Sequence, residues 1–281
     1  MTKGITFGLI GNPLKHSLSA FMHNAAFVSL KIKAKYKLFP LKEGEVDSFF
    51  LNLTKNNIRG LNITIPYKER VLRLPCVRLD SAVKSIGAAN TLLVDKAGRL
   101  KFFNTDYLGF LRHLKELKLK PKRVGILGAG GASKAVSFAL GKSRAIEVVI
   151  YDIDHFRSLS LMRRFNRIFP KTKFMAVGSI EELRLKDKDF LINASSVGMK
   201  ATDPLLINPK DLHRGIFVYD LIYNPKETKL LKVSKETGVC YSNGLKMLLY
   251  QAVESLNIWL SPKRAPIKAM QVALERAVKR I

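Results

Sequence analysis

The sequence of 281 residues is poor in cysteine and has no long hydrophobic run. Its two cysteines, Cys76 and Cys240, form no CxxC motif and have no histidine cluster nearby, which argues against a disulfide framework or a zinc site. No apolar run reaches the roughly 20 residues of a membrane-spanning helix, and the N-terminus lacks a signal-peptide pattern. We therefore expect reduced thiols, no metal, no membrane partner and a cytoplasmic location.

Acidic residues are also scarce, since 22 Asp and Glu stand against 49 Lys and Arg, a net charge of +27. Such a charge attracts polyanions at low salt, so a nucleic-acid-binding protein that reuses a dinucleotide fold is one hypothesis. The basic residues are spread along the whole chain, however, without an Arg-Gly repeat, a basic tail or zinc-finger spacing. A solvated basic surface, or a site for anionic small molecules, explains the charge more simply. We expect no specific nucleic-acid partner.

What is present is an alternation of strand-like and helix-like segments, which predicts an α/β fold with mainly parallel strands. The stretch LNITIPYKER alternates apolar and polar residues over 61–65, which predicts a strand that Pro66 ends. Helical patterns cover 244–259 and 265–280. A composition shift near residue 105 and the helical run after Gly244 indicate two lobes.

The clearest local motif is RVGILGAGGASKAVSFALGKSRAIEVVIYDID, residues 123–154, which reads as strand, glycine turn, helix and strand. Gly128 permits a tight turn, and Gly130 lets backbone amides approach a pyrophosphate at the start of the helix. Asp152 follows at the end of the next strand, 24 residues after Gly128. Ser133 replaces the third glycine of the strict fingerprint, so a glycine turn that only packs a helix on a strand is the alternative.

Eight short segments extend from one end of the chain to the other in a characteristic order. They are GNPLKHSLS (11–19), NITIPYKE (62–69), GAANT (87–91), NTD (104–106), GAGGAS (128–133), NASSVGM (193–199), YDLIYNP (219–225) and NGLKMLLYQA (243–252). Together they resemble the shikimate dehydrogenases and their quinate-using relatives. The resemblance implies reversible hydride transfer between a nicotinamide cofactor and C3 of shikimate, giving 3-dehydroshikimate, in aromatic amino acid biosynthesis.

The resemblance also implies two domains, one that binds the substrate and one that binds the cofactor. The substrate-binding domain is expected to comprise residues 1–105, completed by helices within 245–281. A Rossmann-type dinucleotide-binding domain is expected over 106–244. The family contains monomers and homodimers, so either state is expected.

The catalytic residues that the resemblance implies are Lys68, in NITIPYKE, and Asp106, in NTD. When the C3 hydroxyl is oxidised its proton must leave, and in reverse the developing alkoxide must gain one. An ammonium can donate that proton, and a carboxylate can orient the amine. Without the resemblance, Lys68 would be interpreted as a surface charge.

The resemblance implies further contacts at both ligands. The substrate-binding residues are Ser17, Ser19, Thr64, Asn90, Tyr223 and Gln251, with Asn62 as a weaker candidate. The two serines and the tyrosine correspond to positions at the substrate carboxylate, and the others to positions at its hydroxyls. Ser19 as a helix N-cap and Gln251 as a polar residue on a helix face are the alternatives. The cofactor-binding residues are Gly128, Ala129, Gly130, Gly131, Ala132, Asp152, Arg157, Leu221 and Gly244.

The segment after the second strand of the motif bears on the choice of cofactor. NADP-using members of the family typically carry Asn-Arg-Thr-x-x-Arg there, whereas this chain, aligned on Arg157, has Asp152, Ile153 and Asp154. A carboxylate suits a ribose diol and repels a 2′-phosphate by about 1 to 4 kcal/mol at 4 Å. We expect NAD to be preferred, with NADP use left open because Arg157 and the positive net charge favour it.

Two further departures concern turnover and substrate choice. Lys246 and Tyr107 each stand where the family usually has glycine. The serine pair of HSLS favours shikimate, and a dual quinate/shikimate dehydrogenase is the alternative.

Overall fold

Two six-stranded sheets organise the computed structural model, which describes residues 4–280. Each sheet belongs to its own unit. The first unit contains the chain up to Gly109 together with the chain from Leu249, and the second is Phe110–Leu248. Both divisions fall inside helices, α4 (Asp106–Glu116) and α8 (Leu245–Leu260). The predicted α/β class is confirmed.

The first unit contains a mixed sheet with the strand order β2-β1-β3-β5-β6-β4. Its strands are β1 (Ile5–Gly11), β2 (Ala34–Pro40), β3 (Ile58–Ile63), β4 (Val77–Leu79), β5 (Thr91–Val94) and β6 (Leu100–Phe103). Its further helices are α1 (Ser19–Ser29), α2 (Val46–Leu51), α3 (Ser81–Ile86) and α9 (Ile267–Val278). β1 pairs in parallel with β2 and β3, whereas β5 is antiparallel to β3 and β6. The loops after β1 and β3 therefore leave the sheet at the same edge.

Strand β3 differs from the strand predicted over 61–65, because it begins at Ile58 and ends at Ile63. Its early part includes Gly60, which weakens a strand pattern in the sequence. The tertiary structure explains this glycine: a Cβ there would lie 2.5 Å from the indole nitrogen of Trp259. That nitrogen donates a hydrogen bond to the backbone oxygen of Leu92 at 2.8 Å. The C-terminal helix α8 thus occupies the space that a side chain would need.

The second unit contains an all-parallel sheet with the strand order β12-β11-β10-β7-β8-β9. Its strands are β7 (Arg123–Leu127), β8 (Glu147–Tyr151), β9 (Lys173–Val177), β10 (Phe190–Asn193), β11 (Phe217–Asp220) and β12 (Cys240–Ser242). Its further helices are α5 (Gly131–Lys142), α6 (His155–Ile168) and α7 (Lys229–Glu236). β7, α5 and β8 form the βαβ motif that the sequence predicts.

The strand order reverses beside β7, which has β8 on one side and β10 on the other. In open parallel sheets, ligands bind outside the carboxyl ends of the strands at such a switch point. Short 3-10 turns connect several elements of the two units: Glu43–Glu45, Arg70–Arg73, Glu181–Leu183, Leu185–Asp187 and Pro209–Asp211. Among residues 4–280, no helix combines the length and apolar character needed to cross a membrane.

Candidate active site

Lys68 and Asp106 form an ion pair in the first unit, although 38 positions separate them in the sequence. The Lys68 Nζ lies 2.6 Å from Asp106 Oδ2, and the two side chains are only 15% and 8% exposed. The backbone of Lys68 is held as well, because its carbonyl accepts the N–H of Ala89 at 2.8 Å. Lys68 is therefore a largely buried, paired ammonium rather than a solvated surface charge.

Asn90 connects this pair to helix α8. Its Nδ2 donates to Asp106 Oδ1 at 2.8 Å and to Gln251 Oε1 at 3.2 Å. Both amide side chains are buried, with 2% and 8% of their surface exposed. The structure thus brings four residues predicted to be functional, Lys68, Asn90, Asp106 and Gln251, into one hydrogen-bonded group. Gln251 faces this group rather than the outer side of its helix.

Ser17 and Ser19 follow β1, and Thr64 follows the adjacent parallel strand β3, so all three lie at the edge of the sheet where Lys68 lies. Helix α1 begins at Ser19 with Leu18 in the N-cap position and no side-chain cap. The alternative that Ser19 is an N-cap is therefore wrong. The backbone N–H of Ser19 instead donates to Ser17 Oγ at 3.3 Å.

The glycine turn after β7 has the geometry that its sequence predicts. Gly128 has φ +100°, and a Cβ there would lie 2.9 Å from the backbone nitrogen of Ser195. The N–H of Ala129 donates to Asp152 Oδ2, so the acid at the end of β8 holds the turn. Gly130 precedes α5, which begins at Gly131, and the guanidinium of Arg157 lies 3.5 Å from where a Cβ of Gly130 would be. A helix start with an adjacent arginine suits a pyrophosphate.

Two more predicted cofactor residues meet in the second unit. A Cβ on Gly244 would lie 2.0 Å from the backbone oxygen of Leu221, so only glycine allows this approach. Ala132 lies in the first turn of α5.

Tyr223, a predicted substrate-binding residue, also belongs to the second unit, where it is half-buried and burial raises the pKa of its hydroxyl. Its contact with the substrate stays a prediction.

Lys246 and Tyr107, which stand where the family usually has glycine, have different surroundings. The Lys246 Nζ lies 3.3 Å from Glu116 Oε1 at the end of α4, so its charge has a partner within the second unit. Tyr107 is half-buried in the first turn of α4, and burial raises the pKa of its hydroxyl.

A buried carboxylate, which the sequence analysis missed, lies with its hydrogen-bond network at the carboxyl ends of β10 and β11. The Asp220 carboxylate is fully buried and accepts bonds from Asn193 Nδ2 at 3.1 Å, Thr228 Oγ1 at 2.6 Å and the N–H of Ile222 at 3.0 Å. Burial raises the pKa of Asp220 to about 6, and these hydrogen bonds only partly oppose the shift. Asn193 and Asp220 stand in two of the eight segments, which is the only signal that the sequence offers.

Because its folded-state pKa is raised, Asp220 should make the protein less stable as pH increases. Between about pH 4 and pH 6 the folded state holds a proton that the unfolded state has lost, so the free energy of unfolding falls by about 2 to 3 kcal/mol. Asp220→Asn keeps an acceptor for Asn193 and Ile222, and its amide can donate to Thr228. Denaturant unfolding should show wild type losing stability relative to this variant as pH rises through that range.

A control for this measurement is Asn208→Ser, a change at an exposed residue of the same unit that removes no titratable group. Its stability should keep a constant difference from that of wild type over the same pH range. His113 contributes to the pH dependence with the opposite sign, because burial lowers its pKa to about 4. This contribution is the same in wild type and in both variants, so it cancels when their stabilities are compared. Parallel curves for wild type and Asp220→Asn would contradict the prediction.

This chain is similar to known proteins over most of its length. Residues 9–92 match the family model of the shikimate dehydrogenase substrate binding domain. The shikimate dehydrogenase (NADP(+)) of Dictyoglomus thermophilum is 40% identical over 258 residues, which cover 90% of each chain. This chain belongs to the shikimate dehydrogenase family.

Solved structures of shikimate dehydrogenases are similar to this chain over nearly its whole length. The enzyme of Aquifex aeolicus has a TM-score of 0.88 and 33% identity, with 98% of each chain covered. Shikimate 5-dehydrogenase of Listeria monocytogenes, in complex with shikimate and NAD, has a TM-score of 0.86 and 28% identity, with 98% of this chain and 97% of that chain covered. As a family member, the protein is an oxidoreductase with a two-domain, Rossmann-type fold.

Proposed function

We propose that this protein catalyses the reversible oxidation of shikimate to 3-dehydroshikimate by hydride transfer at C3, with a nicotinamide dinucleotide as cofactor, in the cytoplasm. The observation that carries the proposal is the Lys68–Asp106 pair, held by Asn90 within a chain that belongs to this family. The start of α5 and the turn after β7 would hold the cofactor, which supplies the hydride acceptor.

Lys68 is the general acid and base in this proposal. In the oxidation, its amine takes the proton of the C3 hydroxyl; in the reduction, its ammonium returns that proton and stabilises the developing oxyanion. Asp106 Oδ2 holds the amine at 2.6 Å and so limits its rotation. Since both side chains are largely buried, their interaction is screened less than that of a surface pair.

The remaining predicted residues suit a substrate with one carboxylate and several hydroxyls. Asn90 and Gln251 present amides beside Asp106, where vicinal hydroxyls would bind. The hydroxyls of Ser17 and Ser19, at the same sheet edge, would bind the carboxylate. These roles fit quinate as well as shikimate, because both acids carry a carboxylate and ring hydroxyls and the added bulk of quinate lies at C1.

For the cofactor we propose NAD over NADP, on the residues of the turn between β8 and α6. Ile153 replaces the cation of the phosphate clamp and is 94% exposed, while Asp154 caps α6 by accepting the N–H of Phe156 at 3.1 Å. Asp152, whose oxygens accept the N–H groups of Ala129 and Asp154, adds a second carboxylate to this turn, and a 2′-phosphate bound here would be repelled. The names of relatives such as the Dictyoglomus enzyme favour NADP instead, and Arg157 beside Gly130 is the residue that would support it.

Initial rates with shikimate and with quinate, each with NAD and with NADP, test the proposal. We expect shikimate with NAD to give the highest kcat/KM. Higher kcat/KM with NADP would overturn the cofactor proposal and keep the reaction. Comparable kcat/KM for quinate and shikimate would make the protein a dual dehydrogenase, and no activity with any pair would refute the proposed reaction.

A further inference from the structure

A cluster of three buried hydroxyl groups adjoins the side chain of Asn90. The side chains of Thr91, Thr105 and Ser255 have no exposed surface. The Ser255 Oγ lies 2.8 Å from Thr91 Oγ1 and 3.0 Å from Thr105 Oγ1, and the two threonine oxygens are 3.3 Å apart. These residues come from β5, from the segment before α4 and from α8. We call them the hydroxyl cluster.

Asn62 on β3 extends the hydroxyl cluster. Its Nδ2 donates to Ser255 Oγ at 2.9 Å and to the backbone oxygen of Asn90 at 3.2 Å. Its Oδ1 accepts the hydroxyl of Tyr36 at 2.8 Å. An amide has two donors and one carbonyl oxygen, and all are engaged in a side chain that is only 4% exposed. Asn62 therefore bonds within the protein, although the sequence made it a weak candidate for substrate binding.

The hydroxyl cluster and the adjacent backbone decide which way the Asn90 amide faces. Asn90 Oδ1 accepts the backbone N–H of Thr105 at 2.7 Å and the hydroxyl of Thr91 at 3.0 Å. A flipped amide would place its own N–H groups against that backbone N–H. The Nδ2 is therefore directed at Asp106 Oδ1, and the other oxygen of Asp106 remains for Lys68.

Ser255 is the member of the hydroxyl cluster that joins helix α8 to Asn62 and to the two threonines. Its own proton goes to the backbone oxygen of Gln251 at 2.9 Å, one helical turn earlier. Its oxygen is then the acceptor for Asn62 and for the hydroxyl of Thr105, since the Thr91 proton goes to Asn90 Oδ1. Without that oxygen, the buried Asn62 amide and the buried Thr105 hydroxyl each lose one hydrogen-bond acceptor, and an unsatisfied buried donor is costly enough to make them pair again elsewhere. Asn90 Oδ1, which lies 3.2 Å from Thr105 Oγ1, is the nearest alternative acceptor for Thr105, and a stronger bond there would pull the Asn90 amide out of its position.

We propose that Ser255 and Asn62 are positioning residues for the Lys68–Asp106 pair. They act through the hydroxyl cluster, which holds the Asn90 amide so that it donates to Asp106. The inference rests on the proposed function, since it concerns the same proton transfer. It assigns to β3 and α8 a part in the reaction although neither Ser255 nor Asn62 is a substrate contact.

The test is Ser255→Ala, compared with Ser234→Ala as a matched control. Both serines are fully buried in helices and donate to the carbonyl four residues earlier, but Ser234 lies on α7 of the second unit. Misplacing the catalytic pair should lower kcat of Ser255→Ala roughly ten- to a hundredfold. The KM for shikimate should change less than kcat, because Ser17, Ser19 and Gln251 remain and only the Asn90 contact is affected. Ser234→Ala should keep the kcat of wild type.

A second comparison separates positioning from general damage. In an Asp106→Asn background the aligned carboxylate is already gone, so adding Ser255→Ala should cost little of the residual kcat. An equal fractional loss in both backgrounds would overturn the proposal, as would a kcat of Ser255→Ala equal to that of Ser234→Ala. If wild type itself were inactive on shikimate, the proposed function would fail and this inference with it.

Thr91→Val decides the matter if Ser255→Ala does not fold. It removes one hydroxyl of the cluster, and Thr172→Val is its control, since Thr172 is buried and, among the described residues, its hydroxyl has no partner. We expect a kcat loss only for Thr91→Val. Equal kcat in the two valine variants would overturn the proposal.

Discussion

Replacing Lys68 with alanine is expected to lower kcat for shikimate oxidation roughly a thousandfold or more, because the variant loses both the proton acceptor and the cation at the oxyanion. The measurement is steady-state kinetics at saturating cofactor, with calorimetric binding of shikimate to show that the site still forms. Lys68→Met, which keeps most of the aliphatic stem, should lose as much.

The control for Lys68→Ala is Lys35→Ala, an exposed lysine on the edge strand β2 of the same unit. It removes the same charge and should leave kcat unchanged. Thermal unfolding must accompany both variants, because removing Lys68 leaves the largely buried Asp106 without its cation. A folded Lys68→Ala protein with kcat within about tenfold of wild type would refute the acid–base assignment.

The second large effect is expected at the turn after β8, where Ile153→Arg combined with Asp154→Thr should move the cofactor preference toward NADP. The double variant removes one negative charge and adds one positive charge at the 2′-position. At about 1 to 4 kcal/mol per charge and 1.4 kcal/mol per factor of ten, the ratio of kcat/KM values for NADP and NAD should rise roughly thirtyfold or more. Threonine is also an accepted N-cap residue, so α6 keeps its start.

A control with the same change in net charge is Ile146→Arg combined with Asp187→Thr. Ile146 is an exposed isoleucine just before β8, at the opposite end of the strand from Ile153, and Asp187 is exposed as well. If general charge attracted NADP, this pair would raise the ratio as much as the first. An unchanged ratio in Ile153→Arg/Asp154→Thr would show that the 2′-position lies elsewhere.

Much of the fold could be predicted from the sequence, because its signals are local. The βαβ motif was visible since the periods of strand, turn and helix follow one another within 123–154. Helix α8 was predicted over 244–259 and spans Leu245–Leu260. Helix α9 begins two residues later than predicted, at Ile267, because Pro266 fits before the first helical residue.

The errors have distant causes. Strand β3 was predicted too late because Gly60 interrupts the apolar pattern, and the ring that replaces its side chain belongs to Trp259. The burial of Asp220 was missed for the same reason. Its partners Asn193 and Thr228 come from other segments, and no local pattern reports that a carboxylate is enclosed.

The sequence by itself determined the α/β class, the glycine turn and the set of residue types that the family's chemistry needs. These depend on short-range periodicity, on turn residues and on the identity of side chains. Only the tertiary structure decided that Lys68 is paired and largely buried, and that Asn62 faces Ser255, 193 positions away, rather than solvent. Whether a polar group is solvated or held depends on what long-range folding packs around it, and that environment sets its chemistry.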